Sequence, residues 1–159
     1  MTTIYIKVTD TTRMNFFADA AGTTPTNADF SESGTDSIEF KRCTGETWTF
    51  LGIAFSQLQR TNPGNSETST SLSAYASPSL IYPPKSSPTP FCSTYAAYNN
   101  GWEELVSSDF SLDSANSSTT RLTVNDSDTV QEAYEYYIYI SISESAYVAD
   151  PQIYNPAGG

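Results

Sequence analysis

Histidine is absent from this 159-residue chain. Its absence removes Ser-His-Asp and Cys-His nucleophilic catalysis, His-bearing zinc sites and blue-copper ligation. Cys43 and Cys92 stand too far apart in sequence to form a metal-binding pair by spacing, and no glycine-rich phosphate loop is present. Carboxylates are the acid–base groups that remain. Glycosidases use two of them ~5–9.5 Å apart, and Glu103, Glu104, Asp109 and Asp113 are candidates for such a pair. Eighteen acids on one chain produce close pairs without selection for chemistry, so the expectation is a protein that is not an enzyme.

Three stretches carry binding chemistry instead. Residues 95–104 read Tyr-Ala-Ala-Tyr-Asn-Asn-Gly-Trp-Glu-Glu. Aromatic faces stack on sugar C–H groups while amides and carboxylates take hydroxyls. Tyr98, Asn99, Asn100, Trp102 and Glu103 therefore form a candidate glycan-binding loop. The plainer alternative is an Asn100-Gly101 hairpin turn with Trp102 in a core. The second stretch is oxygen-rich: Asn125, Asp126, Ser127 and Asp128, with Asp109, Ser111 and Asp113 upstream. Calcium prefers such ligands, but the EF-hand spacing is missing and an Asx-type hairpin turn is the plainer reading of 125–128. No cofactor is expected. The third is the pair Tyr137 and Tyr139, on the strand face opposite a run of isoleucines. If that face meets solvent, it forms an aromatic stripe suited to a second copy of the chain. Cross-strand aromatic pairing on a wet face is the alternative.

The elements that would position these groups are strands. Ile4, Ile6 and Val8 alternate with Tyr5, Lys7 and Thr9; Ile38 and Phe40 alternate within 36–41; Leu122 and Val124 do so within 121–124. Thr44, Gly45 and Glu46 mark a turn. Trp48 and Phe50 share a face, yet the next apolar residues are Leu51, Ile53 and Phe55. The phase flips at Phe50 and Leu51, just before Gly52, and predicts a β-bulge or a strand that crosses between sheets. The strongest alternation puts Tyr134, Tyr136, Ile138, Ile140 and Ile142 opposite Glu135, Tyr137, Tyr139, Ser141 and Ser143. Ser143, Glu144 and Ser145 then form a tight hairpin into 146–149, and Pro151 marks an edge or interruption. Residues 57–90 are rich in Ser, Thr and Pro and read as long loops around one short strand within 73–82. One helical turn within 102–106 is the limit of helical periodicity.

Seven or eight short strands predict an all-β fold: a single Greek-key β-sandwich domain over residues 1–159, immunoglobulin- or cupredoxin-like, with long Pro/Ser-rich middle loops. An up-and-down barrel is the alternative. Composition agrees: aromatics make up 13% and include eleven Tyr and eight Phe, which favour strands and supply enough burial for a folded core. A net charge of −11 with seven Lys and Arg disfavours nucleic acid and anionic membranes as partners. The opening residues have neither the basic nor the apolar region of a secretory signal. This predicts a cytoplasmic protein, although a mature secreted form recloned with a new Met would read the same. In an oxidising compartment a Cys43–Cys92 bridge would close a loop of about 50 residues and contribute ~4 kcal/mol; in a reducing one both are free thiols.

Three stretches resemble the AidA/PixA inclusion-body protein family of bacteria. Residues 43–50 (Cys-Thr-Gly-Glu-Thr-Trp-Thr-Phe) are similar to a strand entry of Gly, acid, any, apolar, any, aromatic. Residues 136–140, followed by 147–153 (Tyr-Val-Ala-Asp-Pro-Gln-Ile), are similar to its closing strands, which end in an Asp-Pro-x-Ile signature. Residues 4–11 resemble its first strand. Ala149 departs from the pattern, standing where the family carries an aromatic. The resemblance implies a cytoplasmic protein that accumulates, assembles with itself and has no catalytic residues. Self-association, giving a homo-oligomer, is therefore the leading expectation, and a lectin-like carbohydrate-binding module is the runner-up.

Overall fold

The computed structural model describes residues 1–27, 30–31, 37–58, 68–74, 110–113, 115–126, 132–149 and 152–155. Among them the elements are all strands: β1 (Thr2–Thr9), β2 (Arg13–Phe17), β3 (Phe30–Ser31), β4 (Ser37–Arg42), β5 (Thr49–Leu58), β6 (Ser69–Ser71), β7 (Ser73–Ala74), β8 (Phe110–Leu112), β9 (Arg121–Asp126), β10 (Glu132–Ile142), β11 (Ser145–Ala149) and β12 (Gln152–Asn155). The first sheet runs β6-β2-β1-β4-β9-β8. The second is built on β10, which pairs with β5, β11 and β12; β7 adds to β11 and β3 to β12. The expected all-β sandwich is what the chain forms, with twelve strands among the described residues in place of the seven or eight expected. Each sheet contains one parallel pair, β1 with β4 and β3 with β12.

The alternation read from the sequence fixes which side chains meet. Ile4, Ile6, Ile38, Phe40, Leu122 and Val124 turn inward from the first sheet, while Tyr136, Ile138 and Ile140 turn inward from the second; all are buried. Burying one such side chain contributes roughly 1.5–3 kcal/mol. The Phe40 and Tyr136 rings lie 5.5 Å apart between centroids and tie the layers together.

The phase flip at Leu51 is a β-bulge. Tyr139 pairs with Gly52 and Ile140 with Phe50, so Leu51 is the extra residue. An unpaired residue in one strand turns both Phe50 and Ile53 toward the core despite their odd spacing. The hairpin at Ser143 and Glu144 also forms, between Ile142 and Ser145. Both turn residues have positive φ (48° and 68°), as a type I′ turn requires, though glycine or asparagine usually supplies it. Asp10 (53°) and Thr11 (57°) at the β1–β2 tip do the same.

Two expectations need correction. Asn125 and Asp126 are not in a turn: they complete β9, opposite Ser37, Ser111 and Phe110, and Asp126 is buried. The short strand within 73–82 begins as β7, but Leu72 before it is a buried corner at which the chain leaves the first sheet (β6) for the second. Its N–H donates to Thr12 O at 2.8 Å, and one residue suffices for the switch.

Candidate functional site

The first sheet's outer face holds an open hollow of about 510 Å³. Its floor follows from strand register. Tyr5 of β1 stands beside Lys41 of β4, and Lys41 stands opposite Arg121 of β9. Ile4, Ile6, Phe40 and Leu122, adjacent to them in sequence, fill the core, so period two turns these three side chains outward in one row. The turn after β4 (Cys43 to Glu46) forms one wall, and Ser118 and Thr120, just before β9, form the other.

Under the row lies Glu39. Its side chain is only 8% exposed, and it pairs with Lys41 Nζ at 2.7 Å and, more distantly, Arg121 at 3.8 Å. Thr3 Oγ1 donates to it at 3.3 Å. The Lys41 hydrogen bond holds the Glu39 carboxyl below its ordinary range, against the opposing effect of burial. Arg121 Nε also donates to Asn116 O at 2.8 Å, which sets its direction. Arg42 donates through Nη1 to the Trp48 carbonyl.

The wall is held by Glu46. Gly45, with φ +89°, allows the tight turn. Glu46 Oε2 then accepts from Val8 N–H at 3.0 Å and from Trp48 Nε1–H at 2.5 Å. The first bond continues the β1–β4 ladder past the end of β4, just after Cys43 N–H donates to Ile6 O at 2.9 Å. The second satisfies a buried indole, whose ring meets Phe50 edge-on at 4.9 Å. The acid and the aromatics noted in the sequence are thus parts of one strand entry. Cys43 is buried there as a free thiol, and burial, aided by the charge of Glu46, pushes its pKa up.

Lys41, Arg42 and Arg121 line this hollow together, out of seven Lys and Arg on a chain of net charge −11. Glu39 and Glu46 stand among them, and Asp113 acts on Arg121. The hollow therefore gathers cations within an acidic molecule, and it is rimmed by the hydroxyls of Thr44, Ser118 and Thr120. Sequence reading passed over it. The adjacent Lys41-Arg42 pair in so acidic a chain was the available signal, but only the register brings Arg121 beside it.

The residues singled out from sequence fare differently. Tyr98, Asn99, Asn100, Trp102 and Glu103 lie outside the described residues, as do Cys92, Glu104, Asp109, Ser127 and Asp128. Asp113 is described: its carboxylate accepts from Asn116 N–H at 3.2 Å and Asn116 Nδ2 at 2.7 Å, an Asx-type turn. The exposed stripe at Tyr137 and Tyr139 does not exist. Tyr139 is 0% exposed and Tyr137 is half-buried against the core. The second sheet is covered on both faces here, with Leu51 at 2% exposure, and Gly52 opposite Tyr139 leaves room for its ring. Tyr139 thus has no surface to offer a partner. Among the described residues, no three His, Cys, Asp or Glu side chains gather as a metal site, and Met1 is the one large hydrophobic that is exposed.

Fold and hollow together define an all-β sandwich with a polar, cation-bearing depression on one outer face. No family model matches the chain, and no curated protein matches it.

Proposed function

We propose that this protein is non-enzymatic and works by associating with further copies of itself, the acidic surface of one copy docking against the hollow of the next. The observation that carries this reading is the segregation of charge. Lys41, Arg42 and Arg121 are drawn into one depression, while Asp10 and Glu144 stand exposed at the hairpin tips. Complementary patches of opposite sign steer association and fix its register. A contact between two different patches is heterologous, so it builds rings or open chains and suits a protein that accumulates. The resemblance of both chain ends to the AidA/PixA inclusion-body family points the same way. With Tyr139 buried, the adhesion is electrostatic and not aromatic.

Sedimentation velocity across protein concentration tests this. At about 0.05 M salt, species larger than the monomer grow with concentration; at about 0.5 M they dissociate, because screening shortens the reach of exposed charges. Lys41→Glu gives the same dissociation at low salt. A chain that stays monomeric at low salt and millimolar concentration ends the proposal.

A further inference from the structure

The geometry points to a second use of the hollow, independent of whether copies associate there: it is a binding site for a singly charged polyhydroxylated carboxylate, the chemistry of an acidic sugar. Four observations converge. The size, about 510 Å³, falls in the ~300–1,000 Å³ range of small-molecule sites. Lys41 and Arg121 stand opposite each other across the β4–β9 ladder, and both keep solvent-accessible surface (31% and 40% of their side chains). They share one internal carboxylate, Glu39, and although Asp113 also acts on Arg121, both cations keep faces open to a further carboxylate.

The third observation is charge balance. Glu39 and Glu46 stand among the three cations and Asp113 also acts on Arg121, so a ligand with one negative charge meets less repulsion here than a doubly charged phosphate or sulfate. The fourth is the rim. Tyr5 lies in the same row as the cations and offers an aromatic ring to an apolar sugar face. Ser118 and Thr120, both exposed, have hydroxyls 3.2 Å apart and can trade that bond for ligand hydroxyls. Glu46 commits Oε2 to Val8 and Trp48, and its Oε1 is a further acceptor. A carboxylate on Lys41 and Arg121, a ring on Tyr5 and hydroxyls toward 118–120 uses each group according to its chemistry.

Titration calorimetry tests this with D-galacturonate, D-galactose, acetate and inorganic phosphate at about 0.05 M salt, at a protein concentration that sedimentation shows to be monomeric. The expected result is saturable binding of galacturonate at least tenfold tighter than of galactose, acetate or phosphate. Lys41→Gln and Tyr5→Ala each weaken it tenfold or more. Thr120→Ala, at an exposed position that leaves the Glu39 pairs intact, weakens it severalfold with an unchanged melting temperature. No saturable binding, equal affinity for acetate and galacturonate, or affinity unaffected by Lys41→Gln each overturns the inference. Sedimentation reads self-association separately, so galacturonate binding by a permanent monomer removes the proposed function and keeps this site, while salt-sensitive assembly without binding does the reverse.

Discussion

Glu39 shows how much one side chain governs on the outer face of the first sheet. Lys41 holds its carboxyl below the ordinary value of 4.5 more strongly than burial raises it. The folded state therefore takes up this proton less readily than the unfolded chain does. Its stabilisation is complete above about pH 4.5 and is lost as pH falls through the depressed folded value. Urea midpoints measured from about pH 7 to about pH 3 will fall on the acid side, and Glu39→Gln will flatten that limb. At neutral pH the substitution costs about 1–2 kcal/mol, because both cations lose their shared partner. The sequence showed Glu39 on the face opposite Ile38 and Phe40. It did not show that Lys41 and Arg121 would close over it, since that depends on a strand some eighty positions later.

At the scale of elements, the turn into β5 is the clearest case of sequence dictating structure. Gly45 opens the turn, Glu46 caps the β1 ladder and the buried indole at once, and Trp48 and Phe50 enter the core as a pair. Glu46→Ala leaves two donors without an acceptor, and we expect a loss of about 1–3 kcal/mol with a red-shifted tryptophan emission. Glu46→Gln keeps a carbonyl oxygen and should lose less than half of that, as urea unfolding will read. The bulge at Leu51 was legible for a similar reason: inward and outward positions exchange there, and a strand can do that only by adding a residue. β2 was not legible. Met14 and Phe16 alternate inward, but Phe17 follows directly and blurs the period over five residues. The burial of Tyr139 was hidden more deeply, because alternation says which side of a sheet a residue takes and nothing about what lies over that side.

For the whole molecule, a net charge of −11 means that salt acts in two opposite senses. Screening relieves self-repulsion within one copy, so the melting temperature at low protein concentration should rise by a few degrees between about 0.01 M and about 0.15 M salt. The same screening weakens the proposed contacts between copies. A scan in which stability rises while sedimentation slows separates the two; a melting temperature that falls as salt is added would show that the cation-bearing hollow, and not overall repulsion, dominates the electrostatics of the fold. That the chain would be a sandwich followed from its alternating segments. The order of its strands did not, because β1 and β4 pair in parallel across more than thirty positions and no local pattern announces such a partner.

The pairing of β5 with β10 has a consequence for biogenesis. β5, Thr-Phe-Leu-Gly-Ile-Ala-Phe-Ser-Gln-Leu, carries no charge over ten residues, and the strand that completes its ladder is made more than seventy residues later. At ~5–20 residues per second a ribosome needs roughly 4–15 s to cover that interval. Throughout it the nascent chain presents an uncharged, strand-prone segment with its eventual mate not yet synthesised, and neighbouring nascent chains on one message present the same segment side by side. Slower elongation between residues 58 and 132 should lower the yield of correctly folded product.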